Sequence, residues 1–204
     1  MIKLYRHALS GHAHRVELFL SLLDLDYQLV DVDLMAGAHK DAEFLKMHPF
    51  GQVPVLDDNG TVLWDSNAIL VYLARTYGKD AWNPTNVKEE VAIQSWLSIA
   101  AGSIAFGPAA ARLVTVFGAD LDHEGAKARA NGLFKTVNGT LADQSYLTGA
   151  KITIADIAAY TYIAHAPEGG VSLEIYPNIQ AWIGKIEALP GFVGMQKTPL
   201  SSAA

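Results

Sequence analysis

The stretch QVPVLDDNGTVLWDSNAIL, residues 52–70, holds a contradiction. Val53, Val55 and Leu56 read as an apolar strand and Thr61 to Trp64 as its hairpin partner, with the turn signal Asp58-Asn59-Gly60 between them. Yet Pro54 interrupts the first arm. Proline has no backbone N–H to give to a ladder, so it demotes the strand to a sheet edge or marks something special. One reading is a trans proline that protects an edge, and the residue taken alone favours it. The other is a cis Val53–Pro54 bond, which turns the chain sharply and leaves the Val53 N–H and C=O facing outward, able to pair with a short extended peptide.

Asp65-Ser66 follows the hairpin and opens a helix, Ser66 to Tyr77. Ser66 reads as an N-cap. The same helix end carries free N–H groups and partial positive charge, so it also suits a carboxylate, and Asp65 beside it suits an ammonium. Together they fit the head of an α-amino acid. Ser10, in ALSGHAHRV, stands before another helix, His12 to Leu23. It reads as a cap, or as a hydroxyl aimed at a bound thiol with the helix dipole behind it. His12 and His14 are two apart and do not share a helix face, so no metal site is expected there. His39-Lys40 reads as solvated surface, or as a cation for a ligand carboxylate. ITIADIA, residues 152–158, is structural: Thr153 caps a helix, Asp156 sits at N3, and Ile152 and Ile157 hold the staple positions.

Working outward, residues 1–77 alternate strand and helix signals in the order β-α-β-α-β-β-α, with Tyr5 in the first strand facing the core. Residues 78–86, GKDAWNPTN, are turn-rich and read as a linker. Residues 87–204 are helical, over roughly 87–106, 109–117, 122–143, 154–165 and 177–188, with Gly107-Pro108 expected to break or kink the first run and LSSAA as a short tail. The fold class is therefore α/β plus all-α: an N-terminal domain, a linker and a C-terminal helical bundle. Val91 to Ala111 is long enough to span a membrane and has no charge, but Gln94, Ser95, Ser98, Ser103 and Pro108 favour a helix buried inside a soluble protein. The chain has 204 residues, half of them hydrophobic and 18% charged, with a net charge of −6 that argues against nucleic acid or an anionic membrane as partner. It contains no cysteine, which excludes disulfides and a cysteine nucleophile and suits the cytoplasm.

In combination these pieces resemble the cytosolic glutathione S-transferases, over nearly the whole chain. HPFGQVPVL, His48 to Leu56, is similar to the family pattern NP-x-G-x-V-P-x-L, with histidine in place of asparagine. DSNAILVYL, Asp65 to Leu73, looks like the acidic-Ser-x-Ala-Ile motif, and the Thr153–Asp156 box matches the sixth helix of the second half. The resemblance implies a thioredoxin-like first domain, glutathione as co-substrate without a metal, and a homodimer of a bacterial-type, serine-activated member. It implies that Val53, before a cis Pro54, meets the cysteinyl part of glutathione. Ser66 would hold the γ-glutamyl carboxylate and Asp65 its ammonium, while Gln52 and His39 or Lys40 lie near the glycyl end. Ser10 is the best match for the thiol-activating residue, with His12 as its competitor. Phe106 and Arg112, beside the Gly107-Pro108 break, are the candidates for the wall that receives a small hydrophobic electrophile.

Thiol chemistry sets the demand. A free thiol near pKa 8.5 is only a few per cent thiolate at neutral pH, and lowering the pKa by about two units requires about 2.7 kcal/mol. One hydroxyl donor to a charged acceptor supplies roughly 1.5–3 kcal/mol and a helix N-terminus roughly 0.3–1 kcal/mol. Conjugation is the expected reaction. Glutathione-dependent peroxide reduction or dehalogenation, and a non-catalytic glutathione-fold binding protein, are the alternatives.

Overall fold

A computed structural model describes residues 1–198, and the LSSAA tail, Leu200–Ala204, lies outside them. The chain separates into two units, residues 1–83 with 189–196, and residues 84–188 with the chain from 197. The division falls inside the expected linker, which is not structureless, because Lys79–Trp82 forms one helical turn. Nor does the second unit run unbroken: Leu189–Gln196 belongs to the first. Ser21 Oγ donates to Gly191 O at 2.6 Å, and His14 Nε2 lies 2.9 Å from Val193 O.

The first unit consists of β1 (Ile2–Arg6), α1 (Gly11–Leu22), β2 (Tyr27–Asp31), α2 (Ala42–Met47), β3 (Val55–Asp58), β4 (Thr61–Trp64), α3 (Ser66–Tyr77) and α4 (Lys79–Trp82). The strands form one sheet in the order β2-β1-β3-β4. β1 and β2 are parallel, which requires the crossover that α1 supplies, and β3 runs antiparallel to β1 and β4. Leu4, Val55, Leu56, Val16, Phe19, Leu20, Ile69, Leu70 and Leu73 are fully buried and make the core between sheet and helices. Tyr5 faces inward as expected, packing on Val32, Phe44 and Val55 with its ring 6.5 Å from that of Phe44.

This topology resolves the Pro54 contradiction. β3 is a central strand, paired on both sides, so the edge reading is corrected. Its ladder begins at Val55, one residue past the proline, and no ladder N–H is lost. The Val53–Pro54 bond is cis, as the second reading expects. Register Asp58↔Thr61 leaves a two-residue loop, Asn59 at φ 51° and Gly60 at φ 95°. Both lie in the left-handed region that a hairpin turn matched to strand twist demands, and Asp57 Oδ1 accepts from Gly60 N at 2.8 Å.

The second unit holds α5 (Val87–Ile99), a π-helical stretch (Ala100–Ala109), α6 (Ala110–Phe117), α7 (His123–Thr140), α8 (Ile154–Ala164) and α9 (Pro177–Glu187). Of the break or kink expected at Gly107-Pro108, the break is corrected. The helix runs on because it widens to the longer i→i+5 bonding pattern, which takes in the proline without a stop. Gly107 packs on α7 so closely that an added Cβ would meet Ala130 N at 3.1 Å. Val87–Phe117 is therefore one continuous helix of 31 residues, long and apolar enough by composition to cross a membrane. Only 39% of its most apolar window is buried, less than the buried-helix reading expects. The capping box opens α8 as expected: Asp156 Oδ2 accepts from Thr153 N at 2.9 Å, and Thr153 Oγ1 from Ala155 N at 3.3 Å.

Candidate active site

One end of the first unit's sheet gathers most of the expected residues. β1 ends at Arg6, β3 begins at Val55 and β4 ends at Trp64, and because both pairings are antiparallel these three termini lie at the same end of the sheet. His7 begins the turn that closes on Ser10, whose N–H donates to His7 O at 2.9 Å. The N-termini of α1 and α3 thus flank the Val53–Pro54 loop. Among the described residues, the Val53 N–H and C=O have no hydrogen-bond partner.

Ser10 is the N-cap of α1, with extended backbone, and its Oγ accepts from Ala13 N at 3.3 Å. The cap of α3 is a correction: it is Asp65, and Ser66 is the first helical residue. Asp65 Oδ1 accepts from Asn67 N at 3.0 Å and Ala68 N at 2.9 Å. Its backbone sits at φ 68°, ψ 118°, a strained region for a non-glycine residue, and such strain concentrates at functional sites.

One residue that the sequence reading did not single out supports this end. Arg15 is fully buried, and its Nη1 donates to Ser66 Oγ at 3.2 Å and to Asn67 Oδ1 at 2.8 Å. His12 joins the same cluster, its Nδ1 3.4 Å from Ser66 Oγ. Burial, and next the Arg15 charge, pull the His12 pKa down to about 3, so its ring is neutral. A signal was present in the sequence. His12, Arg15 and Phe19 are spaced three and four apart, so two polar residues lie on the stripe that carries the apolar face of α1.

His39 and Lys40 lie in a short 3₁₀ turn packed on the loop before Gln52. Lys40 Nζ donates to Phe50 O at 3.1 Å and Gly51 O at 3.0 Å, which brings its charge beside the exposed Gln52. Gly51 has φ 56°, and an added Cβ would fall 2.5 Å from His39 O, so only glycine fits that approach. His48 replaces the family's asparagine without losing the turn. Its Nδ1 accepts from Phe50 N at 3.3 Å, the same two-residue back-bond an asparagine oxygen makes. Burial keeps its pKa low, and its ring lies 5.0 Å from that of Trp64.

The two wall candidates part company. Phe106 is 66% exposed on the π-helical stretch. Arg112 is 2% exposed and its Nε donates to Glu168 Oε2 at 2.6 Å, in a buried cluster where His165 Nδ1 and Thr198 Oγ1 also reach Glu168. Arg112 braces the helical unit from within. Among the described residues, no group of three or more His, Cys, Asp or Glu side chains gathers to hold a metal ion.

Comparison with known proteins agrees with this geometry. Residues 1–75 match the family model "Glutathione S-transferase, N-terminal domain", and residues 118–190 match "Glutathione S-transferase, C-terminal domain". The chain belongs to the glutathione S-transferase family. Glutathione S-transferase 3 of Zea mays is 34% identical, over 97% of this chain and 92% of its own. The crystal structure of a glutathione S-transferase from Pseudomonas fluorescens superposes with a TM-score of 0.89 at 32% identity, covering 95% of this chain and 98% of that one. A glutathione transferase homologue from Drosophila mojavensis, solved with bound glutathione, gives 0.83 at 28%, covering 93% and 88%. Members of this family use glutathione as co-substrate, and the first unit of this transferase is the thioredoxin-like half.

Proposed function

We propose that this chain conjugates the glutathione thiolate to small hydrophobic electrophiles, with Ser10 as the group that stabilises the thiolate. The observation that carries this reading is the direction of the Ser10 cap bond. Ser10 Oγ accepts from Ala13 N, so its own proton remains to be donated to a thiolate sulfur at the positive end of α1. His12 is a poor rival, because its ring turns to Ser66 and takes up a second proton only below about pH 3.

The charged ends of glutathione follow from the same loops. Ser66 and the N-terminus of α3 suit the γ-glutamyl carboxylate. Both cap bonds of Asp65 land on Oδ1, which leaves Oδ2 for the ammonium. The unpartnered Val53 backbone, held by Pro54, suits the cysteinyl peptide group, and Gln52 with Lys40 or His39 suits the glycyl end. Phe106 is the proposed apolar contact for the electrophile. A two-fold homodimer is supported by the aromatic surface of Phe50, 65% exposed, and Trp64, 41% exposed, which a second copy would cover. A cytoplasmic location is supported by the cysteine-free composition.

The test is the pH–rate profile of Ser10→Ala with an aromatic halide. At neutral pH the rate falls by roughly ten- to a hundredfold, and the gap narrows at high pH where the thiol ionises unaided. A uniform loss at every pH refutes thiol activation. A profile that moves with His12→Ala and not with Ser10→Ala hands the role to the histidine.

A further inference from the structure

Arg15 is the largest fully buried side chain of the first unit. A guanidinium cannot shed its charge by deprotonation, so a fold that buries one carries a standing desolvation cost. Its Nη1 is spent on the first two residues of α3, Ser66 Oγ at 3.2 Å and Asn67 Oδ1 at 2.8 Å. Ser66 is itself 4% exposed, and its Oγ also lies 3.4 Å from His12 Nδ1.

We propose that Arg15 is a positioning residue that, with His12 in the tautomer carrying its proton on Nδ1, turns the Ser66 hydroxyl proton outward, and so selects ligands that carry a free α-carboxylate on the γ-glutamyl end. A serine hydroxyl has one proton and two acceptor positions. Arg15 can only donate, so it occupies one acceptor position. A neutral His12 has one ring N–H, and in the tautomer that carries it on Nδ1 the second position is taken as well. The proton of Ser66 then has one direction left, away from both side chains and toward an anion at the α3 N-terminus. The bond to Asn67 anchors the guanidinium, and its buried charge adds to the positive potential of the helix end. An amidated head can accept the same hydrogen bond but brings no charge to match the field, and a head without the carboxyl group brings neither.

This inference rests on the reading of Asp65 and Ser66 as the γ-glutamyl site, and the experiment separates the two. Binding calorimetry compares glutathione with 4-aminobutyryl-cysteinyl-glycine, which keeps the ammonium and thiol but lacks the α-carboxylate. The unmodified protein is expected to prefer glutathione by at least tenfold. In Arg15→Met, glutathione affinity falls by roughly tenfold while that of the analogue changes less than about twofold, so the preference collapses. Arg15→Lys keeps the charge without the paired donors and falls between. Should Arg15→Met fail to fold, Arg15→Lys carries the test, and an unchanged preference in it overturns the proposal. Equal weakening of both ligands in Arg15→Met also overturns it, because that is damage to the fold. Equal binding of the two ligands by the unmodified protein refutes the γ-glutamyl site itself. Preference in the unmodified protein that Arg15→Met retains refutes only the role of Arg15.

Discussion

Replacing Asp156 by alanine should unfold this protein more readily than the loss of a helix cap implies, and should leave glutathione binding alone. Asp156 is fully buried. Besides the capping bond from Thr153 N at 2.9 Å, its Oδ1 accepts from Leu147 N at 2.8 Å and Trp182 Nε1 at 2.9 Å. One carboxylate therefore ties the start of α8 to the preceding loop and to α9. Alanine orphans three donors, two of them in fully buried bonds, each at about 1–3 kcal/mol. Removing the carboxylate returns part of that, because burial pushes its pKa up even against four hydrogen bonds that favour the charged form. The net loss is about 3–5 kcal/mol, against about 1 kcal/mol for an ordinary cap. For a chain of this size that lowers Tm by about 6–20 °C. Calorimetric melts read the loss, and glutathione titration well below the melt should show affinity within about twofold of the parent. A Tm drop under about 3 °C would mean the three donors find other acceptors and refute the reasoning.

Other outcomes follow from the same bonds. Desolvation alone would raise the pKa of Asp58, but Tyr77 at 2.6 Å, Tyr72 at 2.9 Å and Asn59 at 2.8 Å outweigh it and hold the carboxyl below its usual range. Its folded pKa lies below the unfolded one, so its contribution is present above about pH 4 and is lost as pH falls through the lowered value. Asp58→Asn should flatten urea midpoints between about pH 4 and pH 2, and curves that stay parallel would contradict this. Asp65→Asn keeps the α3 cap, since asparagine caps as well as aspartate, but removes the charge. Glutathione affinity should fall by roughly tenfold or more with Tm nearly unchanged, and unaltered affinity removes Asp65 from the site. Light scattering at micromolar concentration should report about twice the 22.0 kDa chain mass, and a monomer would count against the dimer.

The sequence by itself determined whatever is decided within a few residues. Asn59-Gly60 specifies its turn because both positions need positive φ, and Thr153 with Asp156 specifies a cap because donor and acceptor are three residues apart. The element order of the first unit and the helical character of the second were legible from periodicity for the same reason. The identity of the α3 cap was misread by one position, since Asp65 and Ser66 are both good capping residues and only backbone angles separate them. What tertiary structure decided is every pairing that spans the chain. Periodicity finds β3 but not its neighbours, so Pro54 looked like an edge signal until the strand order made β3 central. No local rule joins Arg15 to Ser66 and Asn67, 51 and 52 residues on, or Arg112 to Glu168, 56 residues on. Those side chains are polar groups that must find partners once buried, and which partners they find depends on where the fold sets their helices.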